Sequence, residues 1–294
     1  MGTVIDRVAL SEGGWRSRHS ALRLAVKTAK DCLERAGRDP HEVDLLVNAG
    51  IYRDRNLGEP ALAAMIQQDI GANPGDPHSG AHGTFSFDIS NGTCGVLTAL
   101  QIVDGFLKSH TIECALVVAS DANPGHGLSA GFPFSPAGAA LLCNWTDGDC
   151  GLERIHWVSD PDDGASFSAT VGLVDGHNVL RFSVCDTKDE KFAAAAARAV
   201  DECLRASALR LDEIDAIVAA PATSAYRAAL ADLLRVPVAQ ITVAADAGIH
   251  TASLAAAFDR AAGRTKQAGR ILLVAAGAGI TAGAALYRLP PTHG

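Results

Sequence analysis

Aromatic side chains are scarce in this chain: nine Phe, three Tyr and three Trp among 294 residues, together 5%, with only two Met. Positive charge is short as well. Lys plus Arg number 25 against 33 Asp plus Glu, a formal net charge of −8, and the pI is near 5.6. That balance argues against a nucleic-acid-binding surface as the main business of the chain, since such domains are usually basic. The opening residues MGTVIDRVALSEGGWRSRHS lack the apolar run of a secretory signal and carry Asp and Arg early. A long hydrophobic span is missing too. The tempting uncharged stretch, 271–287, is interrupted by Gly277, Gly279, Thr281 and Gly283, and falls short of the roughly 20 residues a membrane helix needs. It is predicted to form two buried strands around a glycine turn. The seven cysteines (Cys32, Cys94, Cys114, Cys143, Cys150, Cys185 and Cys203) are odd in number and show no zinc-ligand spacing. A reducing, cytoplasmic setting is the expectation. His78 and His82 stand four apart in a Gly/Pro-rich loop with no helix to align them, so no metal site is expected; with no span long enough, no membrane contact is expected either.

What the chain does have is apolar bulk. Hydrophobic residues make up 48% and charged residues 20%, which excludes a disordered polymer and allows a large core. The length suits one large or two modest domains. It also repeats itself. HEVDLLV at 41–47 parallels DEIDAIV at 212–218, and each follows a Cys-Leu pair, at Cys32 and Cys203. ALVVA at 115–119 parallels ILLVA at 271–275, and GAALL at 138–142 parallels GAALY at 283–287. The order is the same in both copies, which sets two halves at 1–150 and 151–294.

Each half reads helix, strand, helix, strand, strand. Leu22, Ala25, Val26, Ala29, Cys32 and Leu33 recur at helical spacing before a strand at 44–48, and a second helix is predicted from about 94 to 109. The strand at 114–119 is apolar throughout, as expected when helices cover both faces of a sheet. Covered strands imply layered α/β packing. In a two-fold repeat the central helix starts, near Thr93 and His250, should meet at one cleft.

The run FDISNGTCGVLTAL at 87–100 reads as a strand end, a tight turn and a helix start. Such a turn presents a side chain where free N–H groups and the macrodipole favour an anion. A cysteine there has a lowered pKa and becomes a nucleophile.

This stretch resembles the active-site elbow of the β-ketoacyl synthase III branch of the thiolase superfamily, ungapped from 87 to 121. The ending GAGITAGAAL at 277–286 resembles the glycine-rich strand pair that closes those enzymes. The segment IYRD at 51–54 with Glu59 and Pro60 further resembles the branch that condenses two long acyl chains head to head. The resemblance implies an α/β thiolase fold, layered αβαβα, with two pseudo-two-fold-related halves. It implies acyl-chain condensation for fatty-acid, polyketide or hydrocarbon products, from acyl-CoA or acyl-carrier-protein thioesters and with no bound cofactor.

Members of that family use a Cys-His-Asn set, and here each position is replaced. Thr93 aligns with the nucleophile, Ala220 with the histidine, and Gly248 or Ile249 with the asparagine. The loop Gly277-Ala278-Gly279 is retained; in the family one of its N–H groups helps polarise the thioester carbonyl. The family's aromatic and arginine CoA-binding segment is reduced to GWRSR at 14–18.

Cys94 is either a displaced nucleophile with His250 as substitute base, or a buried core cysteine. One step along a helix start turns a side chain by roughly 100°, away from the cleft. Thr93 is expected to cap the helix. His250 is a base or a structural histidine, and His126 lies in a loop after a core strand. Asp88 is expected to order the turn, and Trp145 and Trp157 to be structural. Arg53, Asp54 and Glu59 form a surface network or reach a partner's cleft. Arg227, Arg260 and Arg264 are candidates to meet an acidic carrier protein. Three functions follow. The chain is a catalytically degenerate partner, in a homodimer or in a heterodimer with an active synthase III-like subunit, paired through an edge strand near 115–120. Alternatively it is a divergent acyltransferase using Cys94 with His250, or an acyl-CoA or carrier-protein binder without chemistry.

Overall fold

The computed structural model describes residues 2–14, 17–74, 83–125, 127–129, 131–162 and 164–291. The chain opens with β1 (Gly2–Glu12). Ser20 then caps α1 (Ala21–Ala36) by accepting from the Arg23 amide, and Gly37, in the left-handed region, ends it. The predicted apolar stripe holds, burying Ala25, Ala29, Cys32 and Leu33. There follow β2 (Leu45–Asn48), α2 (Leu62–Ile70), β3 (Phe85–Asp88), α3 (Gly95–Lys108), β4 (Cys114–Asp121) and β5 (Ala137–Thr146). Two short strands, β6 (Gly151–Leu152) and β7 (His156–Ser159), lead to the hairpin β8 (Phe167–Val174) and β9 (His177–Val184). The plan then recurs: α4 (Lys188–Ala206), β10 (Ala216–Ala220), α5 (Ser224–Leu234), β11 (Ile241–Thr242), α6 (Ser253–Ala262), β12 (Arg270–Gly277) and β13 (Thr281–Arg288).

The strand order is β11-β10-β12-β13-β6-β1-β5-β4-β2-β3, with β7 on β13. Read outward from the middle, each half runs through the same connections. β4 pairs antiparallel with β5 and parallel with β2, as β12 pairs antiparallel with β13 and parallel with β10. The two parallel pairings need crossover connections, which α3 and α6 supply. The repeat seen in the sequence is therefore a repeat of topology. Each half also holds an element pair absent from the five-element expectation: α2 with β3, and α5 with β11. These are short, and β11 spans only two residues, so their periodicity is weak.

Strand alternation sorts the apolar residues into layers. Leu46, Leu116 and Val118 face α1 and α2. Leu45, Val47 and Val117 face the other way, onto α3 and α6, and Leu273 of β12 meets the same central layer. Leu272, Val274 and Leu286 face α4 and α5. The result is the αβαβα sandwich. Burying each such side chain contributes about 1.5–3 kcal/mol.

One expectation is corrected. The stretch 115–120 is not an edge: β4 is hydrogen-bonded to β5 on one side and β2 on the other, and all eight of its residues are buried. A strand apolar on both faces belongs at the centre of a covered sheet. The outermost strands are β3 and β11. On β3, Phe85 is 61% exposed. No helix among the described residues is long and apolar enough to cross a membrane.

Candidate active site

The two central helix starts do meet. Beyond β3 the chain turns at Gly92, whose φ of +51° suits glycine, and a single 3-10 turn (Gly92–Cys94) leads into α3. Asp88 anchors the approach. It accepts from the amides of Leu62 and Ala63 at 2.8 Å each, from Asn48 Nδ2 at 3.0 Å and from Arg53 at 3.2 Å. That is the ordering role expected of it, and it holds Arg53 within this chain. Asp54 is likewise internal, accepting from the Ser20 hydroxyl and the Ala21 amide at the start of α1.

Thr93 is buried and borders a cleft. Its hydroxyl does not cap α3. It donates a short hydrogen bond to the Ala276 carbonyl on β12, while Cys94 stands at the cap position and its side chain makes no capping bond. A buried carbonyl needs a donor, so Thr93 serves as a cross-link between the halves. Gly277 makes the approach possible: a methyl group there would stand 3.0 Å from Thr93 Oγ1 and 3.4 Å from Cys94 Sγ.

Cys94 does not border the cleft. Its thiol is fully buried and donates to the Thr281 carbonyl at 3.5 Å, and burial pushes its pKa up to about 12. A neutral, enclosed thiol is not a nucleophile. The geometry therefore contradicts the displaced-nucleophile reading, because the turn is not rebuilt to carry the side chain back by one position.

On the other side, His250 precedes α6. Its Nδ1 lies 3.2 Å from Asp121 Oδ2, at the end of β4. The same oxygen accepts from the Thr251 amide at 2.9 Å and the Thr251 hydroxyl at 2.6 Å. Asp121 Oδ1 accepts from the Ile51 and Tyr52 amides at 3.1 and 2.8 Å. Burial alone would raise the Asp121 pKa, but the bonds from His250, Thr251 and the Tyr52 amide hold it below the ordinary value. The carboxylate is thus an acceptor only, so Nδ1 carries the proton and, in the neutral ring, Nε2 keeps its lone pair. The imidazole stacks on Phe134 at 4.2 Å between ring centroids, with Tyr52 at 5.2 Å. Its Nε2 faces the other helix start: a methyl group on Gly92 would stand 3.6 Å from it.

Between the two helix starts lies a cleft of about 310 Å³. Ser90, Asn91, Thr93, Ala278 and His250 border its polar side, and Phe134, Phe167 and Phe192 its apolar side. Lys188, at the start of α4, is the one Lys or Arg among the bordering residues. Of the retained loop, Gly277 packs on Thr93 and Ala278 borders the cleft, while Gly279 makes the β12–β13 turn at φ +72°.

The other replaced positions carry no polar side chain. Ala220 is fully buried at the end of β10. A Cβ on Gly248 would stand 2.4 Å from Ser135 Oγ and 3.2 Å from Ser135 N. Ile249 borders the cleft with an alkyl side chain.

The basic residues expected to greet a carrier protein are engaged at home. Arg227 donates to the Ile241 carbonyl, Arg260 to the Val243 carbonyl, and Arg264 to the Arg260 carbonyl. Trp145 and Trp157 donate to Asp147 and Gln101. His78, His82 and His126 lie outside the described residues.

Sequence reasoning missed Asp121, Tyr52, Phe134 and Lys188 as parts of this site. Asp121 left a signal: a carboxylate closing an otherwise apolar buried strand, where charged residues are rare unless paired. The aromatic wall left none, since it comes together only through the hairpin β8–β9 and the loop before β5.

Comparisons with known proteins agree with this architecture. Residues 204–289 match the family described as 3-oxoacyl-[acyl-carrier-protein (ACP)] synthase III C terminal. A β-ketoacyl-[acyl-carrier-protein] synthase III of Rhodospirillum rubrum is 30% identical, over 90% of this chain and 83% of the relative. The crystal structure of 3-oxoacyl-[acyl-carrier-protein] synthase III from Aquifex aeolicus VF5 superposes with a TM-score of 0.81 at 19% identity, covering 98% of this chain and 100% of that one. A variant of Xanthomonas campestris OleA with bound lauric acid and lauroyl-CoA gives a TM-score of 0.77 at 16% identity, covering 98% and 99%. The two solved structures speak for the fold. The 30% identity over nine-tenths of the chain carries the family: this chain belongs to the β-ketoacyl-[acyl-carrier-protein] synthase III family of the thiolase superfamily.

Proposed function

We propose that this chain is a catalytically degenerate member of that family. It holds an acyl thioester in the cleft, does not itself carry out condensation through a cysteine, and pairs with an active synthase III-like subunit. The observation that carries the reading is the joint replacement at Thr93, Ala220 and either Gly248 or Ile249. A threonine whose hydroxyl proton is committed to the Ala276 carbonyl is a poor acyl acceptor. An alanine with a glycine or an isoleucine cannot stabilise an enolate. The substrate class, an acyl group on CoA or on carrier protein, is supported by the names of the relatives and by the apolar wall of the cleft. The halves are taken to join between residues 150 and 151, where β5 gives way to β6.

The surface offered to a partner is β3, the outermost strand of the first half, with Phe85 standing out from it. An unpaired strand edge is a template for another chain. The test is co-expression with an active synthase III homologue, followed by native mass measurement and assay for condensed product. The expected outcome is a mixed dimer that is lost in Phe85→Lys. Separate homodimers, or condensation by this chain alone, would overturn the reading.

A further inference from the structure

His250 is not one of the three positions where the family keeps its catalytic set, yet it is the most fully supported polar side chain in the cleft. Its Nδ1 is held by a buried carboxylate that is itself fixed by the amides of Ile51, Tyr52 and Thr251. Its ring is clamped on Phe134. Its Nε2 has no hydrogen-bond partner among the described residues and faces the turn that carries Gly92 and Thr93. A ring nitrogen without a protein partner is met by water or by a ligand. Here the free nitrogen lies at the wall of a cleft while the residue as a whole is 8% exposed. An oriented imidazole with one lone pair directed at a substrate cavity has the form of a general base.

From this geometry we infer that the His250–Asp121 pair gives the chain an activity of its own: hydrolysis of acyl thioesters by an activated water. The inference rests on the reading of the cleft as an acyl-thioester site. No acyl-enzyme is needed, which fits a site whose thiol is enclosed and whose threonine hydroxyl is committed elsewhere. Water gives its proton to His250 Nε2 as its oxygen bonds to the thioester carbonyl carbon. The tetrahedral oxyanion then collapses, the C–S bond breaks, and the departing thiolate takes the proton back from Nε2. The products are a carboxylic acid and the free thiol. Asp121 is a positioning residue: it keeps the proton on Nδ1 and the ring in place. The cleft, at about 310 Å³, is at the small end of ligand sites, which points to a short acyl group.

The probe is butyryl-CoA, with thiol release followed by a colorimetric thiol reagent. Binding is measured separately by calorimetry with the thioether analogue S-butyl-CoA. The wild-type protein is expected to bind the analogue and to release thiol catalytically. His250→Ala is expected to lose about 100-fold or more in kcat, the lower end of what a positioned base contributes, and to regain part of it when imidazole is added. His250→Gln, which keeps a donor for Asp121 and fills the same space, is expected to fail as fully, while retaining analogue binding. Asp121→Asn is expected to lower kcat with KM changed less than about threefold. Cys94→Ala is expected to turn over like the wild type. Analogue binding without thiol release, or release undiminished in His250→Gln, would overturn the inference alone. Absence of analogue binding would overturn the thioester-site reading, and the inference with it.

Discussion

The two central helix starts are the same structure written twice, with unequal contents. At the first, a strand, a left-handed glycine and a 3-10 turn bring Thr93 to the cleft, and its side chain is spent on the Ala276 carbonyl of the opposite half. At the second, only the two-residue strand β11 precedes the helix, yet His250 is held by a carboxylate from the first half and stacked on an aromatic ring. In the half that resembles an active-site elbow, the side chain at the turn is held in a bond between the two halves. The other half carries His250, the one imidazole bordering the cleft among the described residues. Scaffold and chemistry are therefore separable in this fold. The turn is demanded by packing around Gly277 and Thr93 and persists without its nucleophile. The polar pair is demanded by nothing in the repeat, since Asp121 has no counterpart carboxylate at the end of β12, where Gly277 stands.

The largest effect expected on that asymmetry comes from cutting the link between halves at Asp121. Asp121→Asn should destabilise the fold by about 3 kcal/mol or more, because an amide cannot accept from both the Ile51–Tyr52 and the Thr251–His250 donors, and each buried donor left unsatisfied costs about 1–3 kcal/mol. Chemical denaturation would measure it. The sign with pH follows from the lowered folded pKa. The stabilisation is fully present above the unfolded carboxyl value of about 3.9 and is lost as pH falls through the folded value. The wild-type and variant stabilities should therefore converge in acid, and a gap that widened there would contradict the assignment. A smaller effect is expected from returning the second start toward the family's pattern. Gly248→Asn should cost about 1–3 kcal/mol by overpacking against Ser135. The triple variant Thr93→Cys, Ala220→His, Gly248→Asn should still form no condensed product. Adding Ser135→Ala to that triple variant should raise its melting temperature. The smallest effect concerns Cys94, which should resist iodoacetamide in the native protein and react only on unfolding. Cys185, whose pKa is lowered by the Thr187 hydroxyl bonded to it, should be modified first. Peptide mapping of native protein that found Cys94 labelled would restore it as a candidate nucleophile.

The repeat, the covered strands and the elbow were legible in the sequence because each rests on local pattern: apolar runs such as 114–121, paired motifs such as those at 41–47 and 212–218, and glycines at forced turns. The reorientation of Cys94 was legible too, since helix geometry alone turns one position away from the next. What was not legible was long-range. Thr93 reads as a cap because caps are local, whereas its partner Ala276 lies 183 residues further on. The stretch 115–120 is named as an edge on the resemblance, against its own local signal, since a run apolar on both faces belongs between neighbours such as β2 and β5. Asp121 and His250 are 129 positions apart, so only the folded chain joins them.

The contact between Gly248 and Ser135 has a consequence for history. A side chain of any kind at position 248 meets Ser135, at both its hydroxyl and its backbone nitrogen. Reversion at 248 by itself therefore weakens the protein before it can restore any reaction, and the neighbouring loop must give way first. If the asparagine once stood at 248, its loss has been sealed from behind. A polar group at 248 therefore calls for a coupled change at Ser135.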